Sequence, residues 1–363
     1  MIILLKGLEC YTPKYIGKND ILICNNKIEK IQPKIHLSGD YADVCDCGGL
    51  IALPGIIDQH VHILGGGGEQ GFASRIPEID INEILETGVT TLVGLLGADS
   101  CTRSLESLYA KAKALDAAGI TTYLYSGAYT MPPVTFTGNI IRDLAFIDKV
   151  IGVGEIAISD HRSSYCGLDE MLKMAADTHL GGLLGGKAGV VHLHLGSGKQ
   201  GLTPVLQMLQ KSELPMEEFV PTHTNRKREL FEQAVEYCKS GGNIDLTSGE
   251  TEGIAVPDAV EQLISSGISL RNVTVSSDAN GSMPDGSVGR IHTLLDDIIH
   301  CITYKKVDPE TAFSMVTRNV AKVLKLYPQK GALLEGSDAD ILITDRNFEL
   351  KKLFCSGKLL KEY

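Results

Sequence analysis

Apolar and polar positions alternate in short runs at both ends of the chain and change rhythm between them. Met1–Lys6, Asp20–Cys24 and Lys27–Ile31 carry the β-rich pattern of strands, with Asn25-Asn26 as a tight turn between the last two. The tail repeats that style in Ala339–Thr344, Lys351–Cys355 and Lys358–Leu360, the last two flanking Ser356-Gly357. Neither end holds enough apolar residues to close a core alone. The two sets are therefore expected to pair as a small β-sandwich domain, residues 1–52 with 331–363.

The middle of the chain keeps a longer period. Eight short β-like runs recur, each followed by a helix-patterned stretch: Ile56–Ile63, Thr90–Leu96, Thr121–Ser126, Glu155–Ser159, Val190–Leu195, Phe219–Thr222, Asn243–Thr247 and Asn272–Ser277. The helices are clearest at Leu105–Ala118, Asn139–Val150, Leu168–His179, Lys227–Ser240 and Asp258–Ser266. Pro257 opens the last of them, and Gly119, Gly241 and Gly267 stand where helix-stopping glycines belong. Eight βα units over about 250 residues is the count of a (β/α)8 barrel. The expected fold class is α/β, a TIM-like barrel at 53–330 carrying the small domain; an open doubly wound sheet has the same period and is the competing architecture.

Composition narrows the partners. The 363 residues are 43% hydrophobic, enough for a chain of this size to bury roughly three quarters of its unfolded surface. Acidic residues outnumber basic ones, 45 against 34, for a formal charge of −11, which disfavours nucleic acid and anionic membrane as partners because both need a dense basic face. Nine cysteines with no CxxC pair read as reduced thiols. With no signal-like start and no apolar run near the ~20 residues of a membrane span, the expected location is the cytoplasm.

In a barrel of this type the reacting groups sit where strands end. At those positions stand His60 and His62, Glu155, His194, His223 and Asp278: four imidazoles and two carboxylates, all metal-ligating types. His60 and His62 are two apart, so in a strand both point to one face. His192 shares the inward face of His194 but lies deeper, and reads as barrel filling; His161, His179, His292 and His300 read as ordinary surface or interior residues. Gly181–Lys187 (GGLLGGK) approaches a phosphate-binding loop, yet Ala188 follows it instead of Ser or Thr and no strand precedes it, so a flexible loop is expected. Gly65–Gly68 runs on into Glu69 and Gln70 rather than opening a helix, which removes it as a dinucleotide fingerprint.

The run Leu53-Pro54-Gly55-Ile56-Ile57-Asp58-Gln59-His60-Val61-His62 resembles the first-strand signature of the amidohydrolase superfamily. Gly65–Gly71 (GGGGEQG), Gly94–Ser100 (GLLGADS), Ser126–Tyr129 (SGAY), Ala157–Ser164 (AISDHRSS), Pro221–Arg226 (PTHTNR) and Ser276–Ser282 (SSDANGS) are similar to its isoaspartyl (β-aspartyl) dipeptidases, along essentially the whole chain. The resemblance implies two divalent metal ions, zinc first among them, with His60, His62 and Asp278 on one and His194 and His223 on the other. The family bridges its ions with a carbamylated lysine. Here no carbamylated lysine is expected, because Glu155 stands in its place. A glutamate presents a carboxylate on a shorter arm and can still span two ions, which predicts indifference to bicarbonate.

The resemblance further implies a metallopeptidase in which a metal-activated hydroxide attacks the isopeptide bond of a β-aspartyl dipeptide. Asp278 would carry the proton to the leaving amine and Tyr129 would meet the developing oxyanion. Glu69 would hold the substrate ammonium, and Arg162, Arg226 and Ser282 its carboxylates. Ala98 departs from the threonine expected at the aspartyl end. The implied partners are a small dipeptide substrate and copies of the chain itself, in a homo-oligomer built from dimers up to an octamer. Cyclic-amide hydrolysis of the hydantoinase or dihydroorotase type is the alternative enzymatic reading. A metal-free scaffold is the non-enzymatic one, and the intact ligand set speaks against it.

Overall fold

The computed structural model describes residues 1–37 and 41–363. In chain order its strands are β1 (Ile2–Tyr11), β2 (Tyr15–Cys24), β3 (Lys27–Gln32), β4 (Asp43–Asp46), β5 (Ile51–Pro54), β6 (Ile56–Val61), β7 (Val89–Gly94), β8 (Thr121–Ser126), β9 (Val150–Ile158), β10 (Val190–Leu195), β11 (Phe219–Thr222), β12 (Ile244–Thr247), β13 (Val273–Ser276), β14 (Ile341–Thr344), β15 (Leu350–Cys355) and β16 (Lys358–Glu362). The two chain ends share one sheet, in the order β16-β15-β14-β5-β1-β2-β3, with β4 added along β1. The join is β5: its Ala52 and Leu53 face Ile343 and Leu342 of β14, while Ile51 and Ala52 run parallel to Glu9 and Cys10 of β1. Ile3, Leu5, Leu8, Ile21, Ile23, Ile341 and Phe354 pack as one apolar layer, so the alternation seen at both ends buries a common face.

The middle of the chain is a mixed α/β unit around a curled parallel sheet. Six strands run in the order β11-β10-β9-β8-β7-β6, and β12 and β13 form a parallel pair. The free edges of the two pieces approach one another. At one seam Val61 and Ala279 bridge in parallel and the His62 amide donates to the Ala279 carbonyl at 2.9 Å. At the other the Thr224 amide donates to the Asp245 carbonyl at 3.2 Å, and the Thr222 hydroxyl to the Asp245 carboxylate at 2.7 Å. These runs read as almost continuous hydrophobics because both faces of a parallel sheet are covered; every residue of β6, β7, β9 and β10 is buried.

Three local expectations are corrected. The fourth parallel strand begins at Val150 rather than Glu155, and the helix before it spans Ile140–Phe146 rather than Asn139–Val150. Asn139 caps that helix, accepting from the Arg142 amide, but Val150-Ile151 is a β-branched pair and belongs to the ladder, where Val150 lies opposite Leu124. Gly181–Gly185 is the last turn of a helix over Leu168–Gly185, not a flexible loop. The glycines allow close packing there: a Cβ on Gly181 would come within 3.0 Å of Ile141 Cα and Leu144 Cβ on the neighbouring helix. The third correction is an omission, since β4 and β5 were not foreseen as strands although β5 ties the two chain ends together.

Candidate active site

Parallel strands deliver their last residues to one end, and the six proposed ligands meet there. His60 is the penultimate residue of β6 and His62 follows the strand; Glu155 lies in β9 and His194 in β10; His223 and Asp278 come just after β11 and β13. All six are at most 5% exposed. His223 (φ 62°) and Asp278 (φ 51°) both hold the left-handed backbone that side-chain-bearing residues avoid, at about 1–3 kcal/mol each. The rest of the fold enforces that strain exactly where two functional groups are turned inward.

Glu155 is the centre of the group. Its Oε1 faces His194 Nδ1 at 2.5 Å and His223 Nε2 at 3.0 Å, while its Oε2 faces His60 Nε2 at 3.4 Å and His62 Nε2 at 3.6 Å. Asp278 Oδ1 adds a second carboxylate on the His60 and His62 side, at 3.3 and 3.1 Å. Three of these buried atoms, His60 Nε2, Glu155 Oε2 and Asp278 Oδ1, have no hydrogen-bond partner among the described residues. Leaving polar atoms buried and unpaired costs about 1–3 kcal/mol apiece. Two trios, His60/His62/Glu155 and Glu155/His194/His223, each bring their ligand atoms within 4.8 Å of one another and share the glutamate. The donor set of imidazoles and carboxylates fits two borderline divalent cations bridged by one carboxylate.

The electrostatics agree. Burial favours neutral carboxyls, but the imidazoles of His60 and His194 hold Glu155 well below the usual carboxylate range, and the adjacent imidazoles of His60 and His62 do the same for Asp278. Burial depresses His60 too, yet Glu155 and Asp278 override it and lift that imidazole to about 10. The pocket therefore demands positive charge, which a divalent ion supplies in place of that proton. Burial, with the Arg226 charge, holds His223 well below the ordinary histidine value, leaving it neutral as a ligand must be.

Around this cluster lies a cavity of about 620 Å³ lined by Glu69, Arg162, Arg226 and Ser282 among others. Glu69 Oε1 accepts from Arg162 Nη1 and from the Ser282 hydroxyl, both at 3.1 Å. Arg226 Nη2 donates to Asp278 Oδ2 at 2.6 Å. The Tyr129 hydroxyl lies 2.9 Å from His194 Nδ1, and burial pushes its pKa well up, so it stays a donor. Ala98 does not line this cavity.

Three participants escaped the sequence reading. His192 does more than fill the sheet interior: its Nε2 lies 2.8 Å from His60 Nδ1 and orients that ring. Asp160 grips Arg162 and His194 at once. Glu250, buried beyond β12, stands 3.6 Å from Arg226 Nε. Asp160 sits inside the quoted SDHR motif and was legible there; nothing local marks Glu250. His179 and His292 pair with Glu218 and Asp296 at 2.8 and 3.0 Å, away from the cluster.

The model of the amidohydrolase family matches residues 51–360. The chain is 44% identical to the β-aspartyl dipeptidase of Fervidobacterium islandicum AW-1, solved in complex with β-Asp-Leu dipeptide, over 100% of this chain and 97% of that one, at a TM-score of 0.94. It is 24% identical to a 5-methylthioadenosine/S-adenosylhomocysteine deaminase of Thermococcus sibiricus, covering 92% of this chain and 82% of that protein. An L-hydantoinase of Paenarthrobacter aurescens is 23% identical over 96% of this chain and 86% of its own length.

Proposed function

Because the chain belongs to the amidohydrolase family, among its β-aspartyl dipeptidases, we propose that it hydrolyses the isopeptide bond of β-aspartyl dipeptides as a dinuclear metallopeptidase. The observation that carries the metal half of this reading is the division of Glu155, one oxygen to each pair of histidines. His60, His62 and Asp278 would hold one ion and His194 and His223 the other, with Glu155 between them and no carbamylated lysine; zinc is the metal proposed. When bound, such a pair supplies an acidified water and a polarised amide carbonyl.

The chain's own residues do the rest. Asp278 would take the proton that the attacking water gives up and return it to the departing amine. The Tyr129 hydroxyl donates to the carbonyl oxygen as charge builds on it. A β-aspartyl dipeptide carries two carboxylates and one ammonium, and the cavity offers two guanidinium groups, the Ser282 hydroxyl and the Glu69 carboxylate to meet them. The Glu69 carboxylate favours this reading over cyclic-amide hydrolysis, whose substrates have no free amine to pair with it.

The same reading includes a complete (β/α)8 barrel at 53–330, a small β-sandwich made of 1–52 and 331–363, a cytoplasmic location and a homo-oligomer built from dimers. No helix among the described residues is long and apolar enough to cross a membrane. Zinc-loaded protein assayed on β-Asp-Leu, α-Asp-Leu and dihydroorotate tests the proposal. Cleavage of the β-linked peptide alone supports it; turnover of dihydroorotate alone would move the protein to the cyclic-amide hydrolases.

A further inference from the structure

We propose that Asp160 is the positioning residue that ties substrate recognition to metal retention, by holding Arg162 and His194 with a single carboxylate; this rests on the dipeptidase reading above. Asp160 lies two residues beyond β9 and is 4% exposed. Its Oδ1 accepts from the Arg162 backbone amide at 2.7 Å and from Arg162 Nε at 2.9 Å. Its Oδ2 accepts from Arg162 Nη2 at 2.9 Å and from His194 Nε2 at 3.1 Å. A guanidinium gripped through Nε and Nη2 is fixed in its plane, with Nη1 turned to Glu69 in the cavity. That remaining edge is the one available to a substrate carboxylate.

His194 is fixed by the same group. Its Nδ1 faces Glu155 on the side where an ion would sit, and with that nitrogen on a metal the ring proton would stand on Nε2, pointing at Asp160. A carboxylate behind a ligating imidazole sets both its tautomer and its orientation. Arg162 Nη2 also lies 3.2 Å from His194 Nε2, so the clamp and the imidazole cannot shift independently of the carboxylate between them.

Gly196 makes the arrangement possible. It follows β10 two residues after His194, on the same side of the chain. A Cβ at Gly196 would fall 2.1 Å from Asp160 Oδ2 and 2.4 Å from Asp160 Cβ. The carboxylate occupies the space that any side chain at 196 needs. One strand end thus presents the imidazole and also the gap for the imidazole's partner.

The test compares wild type, Asp160→Asn, Gly196→Ala and Arg162→Lys. Each is stripped of metal and titrated with Zn2+ against a chromophoric chelator, then assayed for KM and kcat on β-Asp-Leu. Asp160→Asn and Gly196→Ala are each expected to lose about 10–100-fold in affinity for one of the two zinc ions, together with a rise in KM of about tenfold or more. Arg162→Lys is expected to raise KM while zinc affinity stays within about threefold of wild type, since it leaves the carboxylate on His194. Gly196→Ala retains every charge, so it decides the matter if Asp160→Asn fails to fold. Zinc affinity within threefold of wild type in the folded variants, whatever KM does, overturns the proposal, as does an unchanged KM beside weakened zinc. A wild type inert toward β-Asp-Leu overturns the dipeptidase reading; an active wild type with undisturbed zinc binding in both variants overturns only the coupling.

Discussion

Arg226 leans on Asp278, Nη2 to Oδ2 at 2.6 Å, while its Nε, unpaired among the described residues, stands 3.6 Å from an equally unpaired oxygen of buried Glu250. One guanidinium therefore sits between a proposed metal ligand and a second buried carboxylate. A substrate carboxylate that binds Arg226 has to share this guanidinium with Asp278. Arg226→Lys keeps the charge but loses the planar fork, and a charge-assisted hydrogen bond lost is about 1.5–3 kcal/mol, or roughly 10- to 100-fold. The expected outcome is a KM for β-Asp-Leu raised by that factor with kcat less affected; steady-state kinetics checks it, and an unchanged KM removes Arg226 from substrate binding.

Metal removal is expected to cost stability as well as activity. The unneutralised pair Glu155 and Asp278 lifts His60 to about 10, so the stripped site binds a proton where it would hold an ion. Free zinc at about 100 times its dissociation constant adds about 2.7 kcal/mol to folding. Tm should rise with zinc concentration and fall on chelation, and readdition of zinc should restore hydrolysis. A Tm that ignores zinc while hydrolysis persists in chelator would count against a metal centre.

Glu155 carries its carboxylate without a reaction with carbon dioxide. Wild-type activity is expected to stay level when the protein is reconstituted in carbonate-free buffer and when bicarbonate is added. Glu155→Gln, which presents one oxygen acceptor instead of two, should retain about one metal ion fewer per chain by elemental analysis. Two ions retained at full occupancy in that variant would show that Glu155 is not the bridge.

Lys330, 3% exposed, donates to Asp340 at 2.6 Å and lies 3.1 Å from Asp338, which also accepts from Lys27 of β3. Burial opposes the Lys330 charge, but Asp340 and Asp338 outweigh it and raise its pKa; burial opposes the Asp338 charge, but Lys330 lowers that carboxyl below its ordinary value. The raised lysine contributes fully below its unfolded pKa and fades as pH climbs through the folded value. The depressed Asp338 contributes fully above its unfolded pKa of about 3.9 and fades as pH falls through its lower folded value. Lys330→Met strips buried Asp340 of its cation and leaves Asp338 to Lys27 and Gln329, a broken buried pair worth about 3–5 kcal/mol. Urea melts at pH 7 should show that loss and a smaller one below pH 3; a neutral substitution would mean that water solvates the two aspartates.

Much of this site is legible in the sequence. Candidate ligands near strand ends follow from the βα period, because parallel strands deliver their C-terminal residues to one face, and the six positions named on that ground converge. Tyr129, Glu69, Arg162, Arg226 and Ser282 needed the family motifs, since each sits in a loop that no periodicity places. Glu250 needed the fold: it reaches Arg226 across 24 residues of sequence and carries no motif of its own. The helix ending at Phe146 and the strand starting at Val150 were misjudged by a few residues because an apolar run such as Val150-Ile151 satisfies either period until its neighbour in the ladder is known. Gly181–Gly185 misled for a different reason, because glycine in a helix looks like a break until the close neighbour that requires it is in view.

The pairing of β5 with β14 has a consequence for synthesis. Pro54 leaves the ribosome about 290 residues before its partner Ile341, an interval of roughly 15 to 60 s at ordinary elongation rates. Throughout that time one edge of the nascent N-terminal sheet has no mate, and the apolar face led by Ile3, Leu5 and Ile21 lacks Ile341 and Phe354 to cover it. The catalytic middle of the chain can emerge and begin to close while its supporting sheet is still incomplete. A nascent chain stalled near residue 330 would thus present a nearly finished active site on an unfinished foundation, with a sticky β-edge for chaperones or for a second copy to capture.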